Sequence, residues 1–130
     1  MGVAENKEVA RRMGEAKSLD DMLATMSEDV RWSIMGTTKY SLTLNGKKDI
    51  VDKLLHPIFS ELESMGSNHV DNVIAEGDYV VVQQHASGRK TKTGNPYNNI
   101  YCMVYKVIDG KIIEITEYLD TELVTAAFGH

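Results

Sequence analysis

The sequence predicts an α+β domain with a curved antiparallel sheet and helices on one of its faces. Three observations carry this. Apolar residues recur at helical spacing near the start and again over residues 47–65, they alternate with period two in almost everything after Gly66, and helices do not alternate with strands. At 130 residues the chain is one domain, residues 1–130, since about 150 residues per domain is typical. Apolar residues make up 42% and charged residues 25%, which excludes fibrous and disordered classes.

The first 27 residues read as helix. Val9, Met13 and Ala16 share a face, and Leu19, Met22, Leu23 and Met26 follow at steps of three and four. Gly14 and Ser18 interrupt the pattern, so two short helices are expected. Ser18 is the N-cap of the second, Asp20 and Asp21 favour its positive end, and Ser27 or Asp29 closes it. Val30, Trp32 and Ile34 then alternate as a strand that Gly36 ends, and residues 37–46 are polar and irregular.

Residues 47–65 give the strongest pattern. Ile50, Val51, Leu54, Leu55, Ile58, Phe59, Leu62 and Met65 form one face of a long helix expected to lie on the sheet. Pro57 removes a backbone hydrogen bond and predicts a kink or break, and Gly66 is a natural C-cap. Strands follow at Val70–Ile74, Tyr79–Ala86, Asn99–Ile108 and Ile112–Leu119. Asp109-Gly110 is a two-residue hairpin turn, and a short helix is expected over 121–127.

Several functions are disfavoured. Nineteen acidic against fourteen basic residues leave a net charge of −5. No basic stripe suits nucleic acid, and Arg89-Lys-Thr-Lys92, the densest basic patch, reads as an exposed turn or strand end. The longest apolar run, Ile100–Tyr105, falls far short of the about 20 residues of a bilayer span. The N-terminus lacks the pattern of a signal peptide, so a cytoplasmic location is expected. Cys102, the one cysteine, reads as a small buried hydrophobe. His56, His69 and His130 show no ligand spacing, so no metal site is expected.

A bent sheet against a helix makes a cone whose open end is a pocket for a small apolar ligand. On the last strand Ile113, Ile115, Glu117 and Leu119 share a face, placing a carboxylate among aliphatic neighbours. Buried there, Glu117 would hold its proton more tightly and serve as a general acid or base; at the rim it would only pair with a cation. On the central strand Gln84 shares a face with Val80 and Val82, whereas His85 shares the other with Tyr79 and Val81. Gln84 is a candidate ligand contact and His85 a candidate acid/base group, each alternatively a polar residue on a wet sheet face. Trp32, Tyr101, Tyr105 and Tyr118 either line the pocket or fill core and interface. Met103, with Met13, Met22, Met26 and Met35, is adaptable packing that would also suit a hydrophobic ligand. Ile115 completes the expected ligand set of Trp32, Gln84, Tyr101, Met103 and Ile115.

The segments Asp29-Val-Arg-Trp-Ser-Ile-Met-Gly36, Gly46-Lys-Lys-Asp-Ile50, Gly77-Asp-Tyr-Val-Val-Val82 and Asp109-Gly-Lys-Ile-Ile-Glu-Ile-Thr-Glu-Tyr-Leu-Asp120 run through nearly the whole chain. Together they resemble the SnoaL-like branch of the nuclear transport factor 2 and ketosteroid isomerase superfamily. The resemblance implies a cone-shaped, cystatin-like α+β barrel, commonly a homodimer through the outer face of the sheet. It does not fix a reaction, because one fold hosts many. Glu117 is similar to the last-strand acid of limonene epoxide hydrolases, but Gln84 and Ala86 stand where that branch has its neighbouring pair. Where ketosteroid isomerases carry their aspartates, this chain has residues near Ser33 and Cys102 or Met103. The expectation is a cofactor-independent isomerase, cyclase or hydratase acting on an apolar carbonyl compound through Glu117. The rival is a binding or dimerisation module without catalysis.

Overall fold

The computed structural model describes residues 2–130. Helices α1 (Val3–Gly14) and α2 (Leu19–Ala24) are followed by strands β1 (Met26–Ile34) and β2 (Thr43–Asn45). A helical segment comes next, made of α3 (Lys47–Ile50), a π-helical turn (Val51–Leu55) and α4 (His56–Glu61). Strands β3 (Leu62–Ser64), β4 (Ser67–Glu76), β5 (Tyr79–Ser87), β6 (Lys90–Thr91), β7 (Ile100–Ile108) and β8 (Lys111–Leu119) lead to α5 (Thr121–Phe128).

Six strands form one sheet in the order β2-β1-β8-β7-β5-β4. All neighbours are antiparallel except β1 and β8, which run parallel with Ile34 beside Glu117. That pair joins the ends of the sequence, so no hairpin forces it antiparallel. The hairpin at Asp109-Gly110 has positive φ at both residues, +49° and +78°, as the twist of its strands favours.

Two β-bulges in the antiparallel pairs bend the sheet. Asp71 is an extra residue in β4, between Val70 paired to Gln84 and Asn72 paired to Gln83. Ile113 is the extra residue in β8, between Ile112 paired to Val107 and Glu114 paired to Lys106. A bulge increases local bend and shifts the alternation by one. Val70 and Val73 therefore both face inward, as do Ile112 and Ile115. The strict alternation that grouped Ile113 with Ile115 and Glu117 fails at the bulge, while Ile115 and Glu117 beyond it are both buried.

The concave face holds the core. Val80 and Val82 from β5, Tyr105 and Val107 from β7, and Ile112 and Ile115 from β8 are nearly inaccessible. The helix that crosses this face, over β4, β5, β7 and β8, is α1, through Val9, Ala10 and Met13. The 47–61 segment instead packs α3 on β1 and walls the open end of the cone with Leu54, Leu55, Ile58 and Phe59. Pro57 offers no N–H to the preceding turn, and the helix widens into its π turn just upstream. The segment stops at Glu61, not Met65, because Leu62–Ser64 pair with β6. Helix α2 also ends earlier than its apolar pattern suggests. The Thr25 hydroxyl donates to the Met22 carbonyl at 2.7 Å, and Met26 opens β1. Ser18 caps α2 by accepting from the Asp21 N–H, and Asp120 caps α5 by accepting from Leu123.

Candidate active site

The cone encloses a cavity of about 470 Å³. Strand alternation places its floor, because β1, β8, β7 and β5 each turn one side chain in two toward the concave face. Trp32, Glu117, Tyr101, Met103, Tyr105 and Gln84 arrive this way. Met13 and Met22 come from the N-terminal helices, Leu54 and Ile58 from the helical wall. The mouth is edged by Met65, Ser67, Arg89 and the 14–18 connection.

Glu117 is 8% exposed and lies among apolar and aromatic groups. Its Oε1 accepts from the Trp32 indole Nε1 at 3.0 Å. Burial pushes its carboxyl up to about 7, opposed by the Trp32 hydrogen bond and the more distant Arg89 charge. Near neutral pH the group therefore exists in both protonation states, which suits a group that takes and returns a proton. Oε2 makes no hydrogen bond or ion pair with another described residue.

Three phenols surround it. Burial, followed by the nearby Glu117, raises the Tyr105 hydroxyl above its ordinary value. Tyr101 is raised well above it by burial, then by Tyr97 and Glu117, with Arg89 opposing. Burial also raises Tyr97, whose oxygen accepts from Asn99 Nδ2 at 3.3 Å. All three remain neutral O–H donors. The Phe128 ring packs edge-on against Tyr97 and Tyr40, with centroids 4.6 and 5.4 Å apart, so α5 holds this wall in place. Gln84 is 8% exposed, and its buried Oε1 has no hydrogen-bond partner among the described residues.

The expected site residues divide on the two faces of the sheet. Trp32, Gln84, Tyr101, Met103 and Glu117 share the cavity wall. Ile115 faces the same way but lies in the core between the Trp32 and Tyr105 strand positions, outside the wall. His85, the candidate acid/base group, does not line the cavity. It sits on the outer face, where Nδ1 lies 2.7 Å from Asp71 and the ring stacks on His69 at 4.9 Å. Period-two geometry puts it opposite Gln84. Tyr118 is likewise outside, and Cys102, paired with it across β7 and β8, is half-buried on that face and not in the core. Sequence reasoning missed Arg89 and Tyr97, which stand in a polar connection without periodicity. The one available signal was an aromatic residue inside that polar stretch. Among the described residues no group of three His, Cys, Asp or Glu could hold a metal ion, and no helix is long and apolar enough to cross a membrane.

Comparisons with known proteins agree with the architecture. A family model described as a SnoaL-like domain matches residues 10–115. Among curated proteins, none matches the sequence. An NTF2-like protein from Burkholderia pseudomallei K96243 is 19% identical, each chain covered over 100%, with a TM-score of 0.83. A protein named as a SnoaL-like polyketide cyclase, from Jannaschia sp. CCS1, is 20% identical over 98% of this chain and 93% of its own, with a TM-score of 0.79. A Xanthomonas campestris protein with a cystatin-like fold is 20% identical over 96% of this chain and 98% of its own, with a TM-score of 0.78.

Proposed function

This chain belongs to the SnoaL-like domain family, and on that footing we propose that it is a cofactor-independent acid/base enzyme of the isomerase, cyclase or hydratase type. Its substrate is a small, largely apolar compound carrying a carbonyl group. The observation that carries the reading is Glu117, a buried carboxyl on the wall of a ligand-sized cavity with one oxygen fixed by Trp32.

The chemistry follows from the groups at hand. Ionised Glu117 removes a proton from the carbon next to the carbonyl. The C–H bond breaks, an O–H bond forms on Oε2, and the electron pair moves to the carbonyl oxygen. A neutral buried phenol, Tyr101 or Tyr105, donates a hydrogen bond to that oxygen, where charge develops away from water. Glu117 then returns the proton at the same or another carbon. The polyketide cyclase name borne by the Jannaschia relative is consistent with carbonyl chemistry of this kind. The unpartnered Gln84 oxygen would accept from a donor on the ligand.

Solvent deuterium exchange into 2-tetralone, an enolisable ring ketone, tests the reading without knowledge of the natural product. The wild-type protein should accelerate exchange, and Glu117→Gln should lower that acceleration by roughly 10²- to 10⁴-fold. Equal acceleration by the two proteins would remove Glu117 from the role, and no acceleration by the wild-type protein would leave the chain a binding module. The same proposal takes the outer sheet face as a homodimer surface, since Ile74, Tyr79, Ile100 and Tyr118 are exposed on it. A sizing column should read twice 14.5 kDa, and a clean monomer would count against that surface.

A further inference from the structure

The cavity wall carries four charged side chains, Glu15, Lys17, Arg89 and Glu117. Arg89 differs from the others in how it is held. Its backbone N–H donates to Asn98 Oδ1 at 2.9 Å, and its carbonyl accepts from the Tyr97 N–H at 2.9 Å. Its Nε donates to the Met65 carbonyl at 2.8 Å, and Nη1 reaches the Tyr101 hydroxyl at 3.5 Å. Among the described residues no carboxylate lies within ion-pair distance of it.

A guanidinium has five N–H donors in a fixed plane. Here Nε is tied to the Met65 carbonyl and Nη1 reaches the Tyr101 hydroxyl, while Nη2 has no partner among the described residues, on a side chain that lines the cavity. With Glu117 protonated, Lys17 and Arg89 against Glu15 leave the wall with one net positive charge. Such a fork matches a carboxylate through two parallel hydrogen bonds, and it is set in place before any ligand arrives.

We infer that the ligand of this cavity is an organic acid, an apolar ring body bearing one carboxylate that Arg89 and Tyr101 hold at the mouth while its carbonyl end points toward Glu117 and Tyr105, which leaves Tyr105 as the phenol that donates to the carbonyl oxygen. This rests on the reading above that the cavity takes a small molecule, and it adds the substrate class. Arg89 is then the residue that selects an anion over a neutral analogue of the same shape.

Calorimetric titration at about pH 6, where Glu117 is mostly protonated, with 2-naphthoate and 2-naphthamide separates the two layers. The rings match, and only the charge differs. The wild-type protein should prefer the carboxylate by roughly tenfold or more. Arg89→Gln should abolish that preference by weakening the carboxylate more than the amide. Parity in the wild-type protein, or a preference that survives Arg89→Gln, overturns the inference and leaves the small-molecule pocket standing. Binding of neither probe overturns both. If Arg89→Gln loses the amide as well, Arg89→Lys decides. It keeps the charge but not the fork, so a reduced preference supports the assignment and an unchanged one overturns it.

Discussion

Trp32 and Glu117 meet across the one parallel strand pair of the sheet, two residues out of register, through a 3.0 Å hydrogen bond from indole Nε1 to carboxyl Oε1. The indole N–H can only donate, so it stabilises the carboxylate over the acid. It works against burial, and the balance holds Glu117 at about 7. One oxygen is fixed, and the other makes no hydrogen bond with a described residue.

Removing that donor should weaken the ionised form. In Trp32→Phe the carboxyl is expected above about 7, because burial is then opposed only by Arg89. The pH profile of deuterium exchange should move to higher pH, with lower exchange at neutral pH. An unmoved profile would show that the indole does not tune the acid.

Stability should fall as pH rises across the same range. Glu117 goes from an ordinary value of 4.5 to about 7 on folding, so the native state binds more protons than the unfolded state between them. The stability contributed by its protonated form is complete below about 4.5 and is lost as pH approaches about 7. At 1.36 kcal/mol per unit the loss is about 3 kcal/mol. Urea midpoints measured across this window should show that decline in the wild-type protein and a flatter course in Glu117→Gln. Equal slopes would contradict it.

Gly66 permits the turn from β3 into β4 at the cavity mouth. Its φ is +58°, and a Cβ there would clash with the Ser87 carbonyl oxygen. Backbone on both sides leaves little to yield, so Gly66→Ala should cost about 1–3 kcal/mol in conformation alone and more from the clash. A urea midpoint within experimental error of wild type would refute this.

His85 offers the opposite case. Its ring is bound to Asp71 on the outer face, so His85→Ala should leave deuterium exchange within about twofold. A fall as large as that of Glu117→Gln would bring His85 back into the chemistry.

Much of this was legible in the residues because short-period rules govern them. Alternation through Val30, Trp32 and Ile34 and through Val80, Val82 and Gln84 follows from the pleat. Glu117 stood out as a carboxylate on an aliphatic face. Alternation broke at Asp71 and Ile113, where a bulge adds one residue without a distinctive sequence. The 47–65 helix looked longer than it is because Leu62 satisfies a helical face as well as a strand. Arg89 and Tyr97 were hidden for a different reason. They reach the cavity through hydrogen bonds of the 87–99 connection, such as Arg89 to Asn98 and to Tyr97, and no periodicity encodes such a turn.

The ionisation of Glu117 is the quantity on which the rest turns. A ¹³C NMR titration of the glutamate side-chain carboxyls, with Glu117 assigned by its loss in Glu117→Gln, reads it directly. One resonance should titrate with a midpoint of about 7 and vanish in the variant. A Glu117 resonance titrating near the ordinary 4.5 would mean that the carboxyl meets water, and the acid/base role would fall with it.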